Sequence, residues 1–202
     1  MPNNKPTQGA MILRLAAENH GQVTSAMVTQ RGWSRGVLAY LARKGALECV
    51  QRGVYVLPGV WEDEFACCQA RFGRGVFSHE TALYLWGLTD RTPAAFQMTF
   101  PATYNTGAAR AAGLRCSQTK PEWYGLGVTE CRTPAGHAVR LYNREHTLCD
   151  ILRARPHTDI QQVGAAFRLY ARSREKDIPL LSRYARQIGV AGKLQSYLEV
   201  LL

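Results

Sequence analysis

The chain has 202 residues, which allows one large domain or two modest ones, and its 46% hydrophobic content is typical of a globular protein. Its apolar runs are too short to cross a bilayer, and Met1–Pro6 carries no apolar signal-peptide core. We therefore expect a soluble, cytoplasmic protein that does not enter a membrane. The formal net charge of +10 favours a polyanionic partner, either nucleic acid or an acidic membrane surface.

Six cysteines raise the question of a disulfide scaffold or a zinc site. No two of them stand at C-x-x-C spacing, and the adjacent Cys67 and Cys68 cannot easily hold one ion together. Most have apolar or small neighbours, as buried thiols in a reducing compartment do. We therefore predict buried free thiols, no metal site and no cofactor.

Positive charge is concentrated in the first sixty residues. Seven basic residues stand there against two acidic ones, Glu18 and Glu48, which leaves a charge of +5 on less than a third of the chain. The basic residues are Lys5, Arg14, Arg31, Arg35, Arg43, Lys44 and Arg52.

Three short helices and a β-hairpin are predicted in the same segment. Each helix begins at a hydroxyl side chain suited to capping and stops at a glycine. The starts are Thr7, Thr24 or Ser25, and Ser34, and the ends are Gly21, Gly32 and Gly45. Residues 46–51 then alternate like a half-buried strand, Arg52-Gly53 turns the chain, and residues 54–57 return. This order makes a winged helix-turn-helix, which we place in residues 1–60.

The third helix is predicted to bury an apolar stripe of Val37, Leu38 and Leu41 and to insert its free face into the major groove of a DNA duplex. Arg35 is placed to reach base edges, whereas residues at the helix end and the hairpin tip suit phosphates or a minor groove. The start of the second helix offers free amides and hydroxyls to a phosphate. The predicted DNA-binding residues are Thr24, Ser25, Ser34, Arg35, Gly36, Ala39, Tyr40, Arg43, Lys44, Gln51 and Arg52.

A protein-docking role for this module is the alternative, because winged helices also bind proteins and basic helix faces are often only solvated. Acidic residues are nearly absent from the predicted face, and the wing tip is basic. This charge pattern favours double-stranded DNA as the partner.

Residues 61–202 are predicted to form an α+β domain with a mostly antiparallel or mixed sheet and a helical carboxy terminus. Strands are expected at 76–77, 96–100, 114–117, 127–131 and 138–142. Helices are expected at 64–72, 80–86, 145–153, 159–173, 178–188 and from 191 onward, and Ser78 is expected to cap the second of them.

Acid–histidine groupings in this domain raise a third possibility, a nucleic-acid-processing enzyme that uses Glu145, His146 or Asp150. These three do not share one helical face well, and no H-E-x-x-H, G-x-x-x-x-G-K-[ST] or G-x-S-x-G motif occurs. We expect structural use of them, such as a pair of Asp150 with Arg153 or with His146, rather than enzyme activity.

The terminal helices carry a basic band that is either a solvated face or a second surface for phosphates or RNA. Its members are Arg168, Arg172, Arg174, Lys176, Arg183 and Arg186.

Three blocks of the sequence resemble the AbiEi antitoxins, the antitoxin half of type IV toxin–antitoxin, or abortive-infection, systems. The first block includes Gly32-Trp-Ser-Arg-Gly and Gln51-Arg-Gly-Val-Tyr-Val-Leu-Pro-Gly. The second is Phe77-Ser-His-Glu-Thr-Ala-Leu-Tyr-Leu-Trp-Gly-Leu, and the third runs from Val139 to Arg153. His146 stands where the family commonly has arginine, so no role of that arginine is carried over to this chain.

The resemblance implies a repressor that binds inverted repeats in the promoter of its own operon. It also implies that the carboxy-terminal domain counteracts a nucleotidyltransferase-like toxin without forming a stable complex with it. These functions are expectations from the resemblance to the family, and such a resemblance is a safer guide to the fold than to the function.

Overall fold

The computed structural model describes residues 6–153 and 158–201. The residues before Pro6, in which we expected no signal-peptide core, lie outside the described part of the chain. The chain divides into two compact units. The first runs up to Gly73 and adds Arg132–Val139, and the second combines Arg74–Cys131 with the chain from Arg140 onward.

The first unit contains the predicted three helices and hairpin. Its elements are α1 (Gln8–Glu18), β1 (Gln22–Thr24), α2 (Ser25–Gln30), α3 (Arg35–Arg43), β2 (Glu48–Gln51), β3 (Val54–Val56) and α4 (Glu64–Arg71). The predicted caps form, because the Thr7, Thr24 and Ser34 hydroxyls accept hydrogen bonds from the Ala10, Met27 and Gly36 amides. The winged helix-turn-helix prediction is thereby confirmed.

One hydrophobic core holds α1, α2 and α3 together. Its buried side chains are Ile12, Leu15, Ala16, Val23, Val28, Leu38, Leu41 and Leu47. Leu38 and Leu41 occupy one face of α3, so burying them turns the opposite face of this helix towards solvent.

The hairpin belongs to a three-stranded antiparallel sheet with the order β1-β3-β2. Sequence analysis missed β1, because three residues are too few to show an alternating pattern. The expected alternation of burial along β2 is wrong. Glu48 and Cys49 are both exposed, and the pairing register shifts between Cys49 and Gln51, as at a β-bulge.

The first unit extends past the boundary that we expected near Val60. Asp63 caps α4 by accepting hydrogen bonds from the Phe65 and Ala66 amides, at 3.0 and 3.2 Å. Its second carboxylate oxygen accepts hydrogen bonds from the Thr133 hydroxyl and from Nδ1 of His137. These buried bonds attach residues 132–139 to the amino-terminal unit, which local patterns in the sequence do not reveal.

The second unit has an α+β organisation, as predicted. Its elements are β4 (Val76–Phe77), α5 (His79–Leu85), β5 (Gln97–Pro101), α6 (Gly107–Ala111), β6 (Arg115–Thr119), α7 (Pro121–Tyr124), β7 (Val128–Arg132), β8 (Ala138–Tyr142), α8 (Arg144–Arg153), α9 (Ile160–Arg172), α10 (Ile178–Ile188) and α11 (Ala191–Leu201). The end of β7 and the start of β8 fall within residues 132–139. Only the two shortest helices, α6 and α7, were not predicted.

A five-stranded mixed sheet with the order β6-β5-β4-β8-β7 lies in this part of the chain. β4 is antiparallel to β5 and parallel to β8, and β5 is parallel to β6. The later helices pack around a core that includes Leu148, Phe167, Tyr170 and Leu181.

Ser78 occupies the N-cap position of α5, as predicted, but the expected hydrogen bond from a backbone amide to its side chain is not formed. Ser78 is fully buried, and its hydroxyl oxygen instead accepts a hydrogen bond from the Thr99 hydroxyl at 2.9 Å. The Glu80 amide donates to the Gln97 side chain instead. Thr99 and Gln97 both belong to β5. The polar groups at the start of α5 are therefore hydrogen-bonded by the sheet and not by neighbouring residues in the sequence.

Candidate nucleic-acid interface

The solvent-facing side of α3 carries the residues expected to read DNA. Arg35, Gly36, Ala39, Tyr40 and Arg43 are all exposed, because the apolar stripe of the helix turns inward. Tyr40 keeps 52% of its surface accessible, which is unusual for a large side chain with apolar character. This face therefore offers two guanidinium groups and an aromatic ring on a helix of nine residues.

Both ends of α3 add polar groups to this surface. Ser34 is exposed at the start and uses its hydroxyl to accept from the Gly36 amide at 3.2 Å. Lys44 is the exposed C-cap residue, next to Arg43 in the last turn. Cations at the carboxyl end of a helix are favoured by the helix dipole, so these two positions stabilise α3 while remaining available to an anion.

The wing tip lies between β2 and β3. Arg52 is exposed, and Gly53 adopts the left-handed conformation with φ = +83°, which the tight turn requires. The Gly53 carbonyl accepts a hydrogen bond from the Ser25 amide at 2.8 Å. The tip is thus attached to the start of α2, and Arg52 projects from an anchored turn.

Three predicted contact residues are already engaged inside the protein. The side-chain nitrogen of Gln51 donates to the Cys67 carbonyl at 2.6 Å. The Ser25 amide is used by Gly53, and the Thr24 hydroxyl accepts from the Met27 amide at 3.2 Å. The expectation of free amides at the start of α2 is therefore wrong for Ser25 and Met27, and α2 has only six residues.

Sequence analysis missed two residues beside this surface. Arg31 is exposed, lies over the Trp33 ring at 5.9 Å and donates to the Met27 carbonyl at 3.3 Å. Thr29 is exposed and accepts a hydrogen bond from Nε of Arg35 at 2.8 Å. A signal for Arg31 existed, since an arginine two residues before a tryptophan can stack on it, but nothing local connects Thr29 with Arg35.

The positive charge of this surface is not neutralised within the first unit. Among the residues that the structure describes, no carboxylate lies within 4.0 Å of a charged nitrogen of Arg31, Arg35, Arg43, Lys44 or Arg52. Among the described residues of this unit, oppositely charged or acid–histidine partners lie together in Arg14–Glu18 on α1 and in the buried Asp63–His137 pair. An unpaired cationic surface of this kind attracts a polyanion.

The acid–histidine group of the second unit is buried. Glu145 accepts from the Tyr170 hydroxyl at 2.7 Å, and Nε2 of His146 lies 3.5 Å from the Asp150 carboxylate. Burial disfavours the charged form of Asp150, but His79, His146 and Arg153 together outweigh it and lower the pKa of this carboxyl below its ordinary value. The predicted His146–Asp150 pair is present.

The predicted basic band on the terminal helices is exposed. Its members on α9, on α10 and between them are Arg168, Arg172, Arg174, Lys176, Arg183 and Arg186. Within residues 6–153 and 158–201 none of them has a carboxylate within 4.0 Å.

All six cysteines are free thiols, but they are not all buried. Cys67, Cys68 and Cys149 are buried, and burial raises the pKa of Cys67 and of Cys149 to about 12. Cys49 on β2 is exposed, and Cys116 and Cys131 are partly exposed, so the expectation of buried thiols is wrong for these three residues. No cluster of three metal-ligating side chains occurs among the described residues.

Residues 11–58 match a protein-family model described as "Transcriptional regulator, AbiEi antitoxin". The amino-terminal module is thus similar to the corresponding segment of AbiEi regulators. The matched residues include most of α1 and the whole of α2, α3 and the wing, and the exposed basic surface lies within them. The family resemblance found in the sequence is confirmed for this segment.

One solved structure supports the fold of nearly the whole chain. The crystal structure of the RV2827C protein from Mycobacterium tuberculosis aligns with 96% of this chain and 81% of its own, with a TM-score of 0.53 and 16% sequence identity. At this identity the likeness concerns the fold alone. No curated protein is significantly similar in sequence, and no helix in the described residues is long and apolar enough to span a membrane.

Proposed function

We propose that this protein is a sequence-specific DNA-binding autorepressor and the antitoxin of a type IV toxin–antitoxin system. The observation that carries the proposal is the unpaired cationic face of α3 together with Arg52 at the anchored wing tip. An α-helix fits the major groove of B-DNA, and a basic wing beside it can contact the flanking backbone. The AbiEi family match over the same residues supports this assignment.

The contacts are proposed to divide into two kinds. Arg35, at the start of α3, reads base edges, whereas Arg43, Lys44 and Arg52 meet phosphates. Ser34, Gly36, Ala39 and Tyr40 line the surface between them. Thr24, Ser25 and Gln51 remain in the proposed interface, with their internal hydrogen bonds holding the backbone in place.

The proposed DNA target is an inverted repeat in the promoter of the protein's own operon. The carboxy-terminal unit is proposed to counteract a nucleotidyltransferase-like toxin without a stable complex, on the strength of the family alone. The exposed basic residues of α9 and α10 are proposed to extend the DNA footprint beyond one half-site.

Fluorescence anisotropy with a labelled promoter duplex over a range of salt concentrations tests the division of contacts. Lys44→Ala and Arg52→Ala should each weaken binding to every duplex and reduce the slope of log K against log salt by about one. Arg35→Ala should instead reduce the preference for the promoter over other duplexes. Arg14→Ala is the matched control, because Arg14 is exposed but paired with Glu18 on α1.

An unchanged salt slope in Lys44→Ala and in Arg52→Ala would contradict the phosphate contacts. Copurification of the chain with a neighbouring gene product at high salt, combined with no duplex binding, would favour the protein-docking alternative.

A further inference from the structure

A chain of three hydrogen bonds connects the wing tip with the reading face of α3. The Gly53 carbonyl accepts from the Ser25 amide, and the Ser25 carbonyl accepts from the Thr29 hydroxyl, each at 2.8 Å. The same Thr29 oxygen accepts from Nε of Arg35, also at 2.8 Å. All three bonds can exist at once, because a hydroxyl donates one hydrogen and accepts on its lone pairs.

Thr29 therefore determines which hydrogens Arg35 can offer to a ligand. A guanidinium carries five N–H donors in a planar fork, and the Nε–H is taken by Thr29. The donors that remain are on the two Nη atoms, and none of them is bonded to another described residue. Arg35 can then donate a pair of parallel hydrogen bonds to one base only through its two Nη groups, an arrangement that we call end-on.

The major-groove edge of guanine matches this arrangement. Guanine presents two acceptors there, O6 and N7, whereas adenine presents one acceptor and one donor. A guanidinium has no acceptor, so it cannot pair with both groups of adenine. An end-on fork at the start of α3 is thus selective for guanine.

We propose that Thr29 is a positioning residue that holds Arg35 for end-on recognition of one guanine in each half-site. This inference rests on the proposed DNA-binding function and names the base that the site reads. Its physical basis is preorganisation: Thr29 and Ser25 fix the guanidinium plane before DNA binds, so less rotamer freedom is lost on binding.

The test is selection of bound sequences from a pool of randomised DNA duplexes, followed by anisotropy titrations on the selected duplex. Thr29→Val removes the hydroxyl at nearly constant shape, whereas Thr29→Ser keeps it. Thr129→Val, an exposed threonine on β7, is the matched control for the same chemical change elsewhere.

We expect the wild-type protein to select guanine at one position of each half-site, by roughly tenfold or more over other bases. The preference at that position should fall to near parity in Thr29→Val and persist in Thr29→Ser and Thr129→Val. Replacing that guanine with 7-deazaguanine, which lacks the N7 acceptor, should weaken wild-type binding and leave Thr29→Val unaffected.

An unaltered guanine preference in folded Thr29→Val overturns the inference, and so does selection of adenine at the Arg35 position. Absence of any sequence selection by the wild-type protein refutes the proposed function itself. Thermal melting of each variant shows whether it is folded, and Thr29→Ser supplies a second comparison if Thr29→Val does not fold.

Discussion

The buried link between Asp63 and residues 133–137 makes a quantitative prediction about stability. Nδ1 of His137 lies 2.9 Å from the Asp63 carboxylate, and Nε2 lies 3.2 Å from the Asn19 carbonyl. Both ring nitrogens of His137 therefore lie within hydrogen-bond distance of buried oxygen atoms. The side chains of His137 and Asp63 are only 6% and 3% exposed, so solvent barely screens the pair.

His137→Ala should therefore destabilise the protein by about 1–3 kcal/mol, the usual cost of leaving a buried polar group without its hydrogen-bond partner. Asp63→Ala should cost at least as much, because the carboxylate also caps α4, which contributes about 1 kcal/mol. In the double variant the two losses should not add, and the difference should amount to about 1–3 kcal/mol of coupling.

Urea unfolding followed by circular dichroism measures all three variants. The matched control is Arg14→Ala, which breaks an exposed ion pair and should change stability by less than about 1 kcal/mol. A loss below about 1 kcal/mol in His137→Ala, or full additivity in the double variant, would contradict the stabilising attachment of residues 132–139 to Asp63.

Three further predictions follow from burial, charge and backbone conformation. Iodoacetamide at mildly alkaline pH should modify Cys49 first, because this thiol is exposed. Burial and nearby carboxylates raise the pKa of Cys67 to about 12, so Cys67 should stay unmodified until the protein unfolds. Mass spectrometry of the labelled peptides checks this order. The pKa of Asp150 is lowered in the folded protein, so the ionised carboxylate stabilises the fold at neutral pH, and this contribution is lost as the pH falls through that pKa. Asp150→Asn should therefore flatten the decrease of the unfolding free energy at acid pH. An equally steep decrease in the variant would contradict this role of Asp150. Gly53→Ala forces a side chain into the left-handed region at φ = +83° and should lower the free energy of unfolding by about 1–2 kcal/mol, measured by thermal unfolding. The comparison is Gly59→Ala, at φ = +77°, because a Cβ at position 59 meets open space whereas one at position 53 contacts Ser25.

The elements of the fold were predictable wherever their signals are local. Caps at Thr7 and Ser34, glycine stops and an alternating hairpin each involve residues within a few positions, and the structure confirms these helices and the turn at Arg52-Gly53. Periodicity also predicted α10 at its observed bounds, Ile178–Ile188. Two elements of three and four residues, β1 and α7, were missed because neither is long enough to show a period by itself.

The site was predictable in composition but not in its internal connections. Exposure of Arg35 and Tyr40 follows from burial of Leu38 on the opposite side of α3. The bond from Gln51 to Cys67 spans 16 positions and that from His137 to Asp63 spans 74, and neither leaves a local pattern in the sequence. Side chains that bond across such distances can be assigned only once the tertiary structure is known.

The most direct measurement of the central claim is competition between a promoter duplex and random duplexes for the full chain at physiological salt. If α3 and the wing read a DNA sequence, the promoter should bind roughly 10³-fold or more tightly than random DNA, as specific regulators do. Equal affinity for the two duplexes would contradict the account, because phosphate contacts alone cannot distinguish sequences.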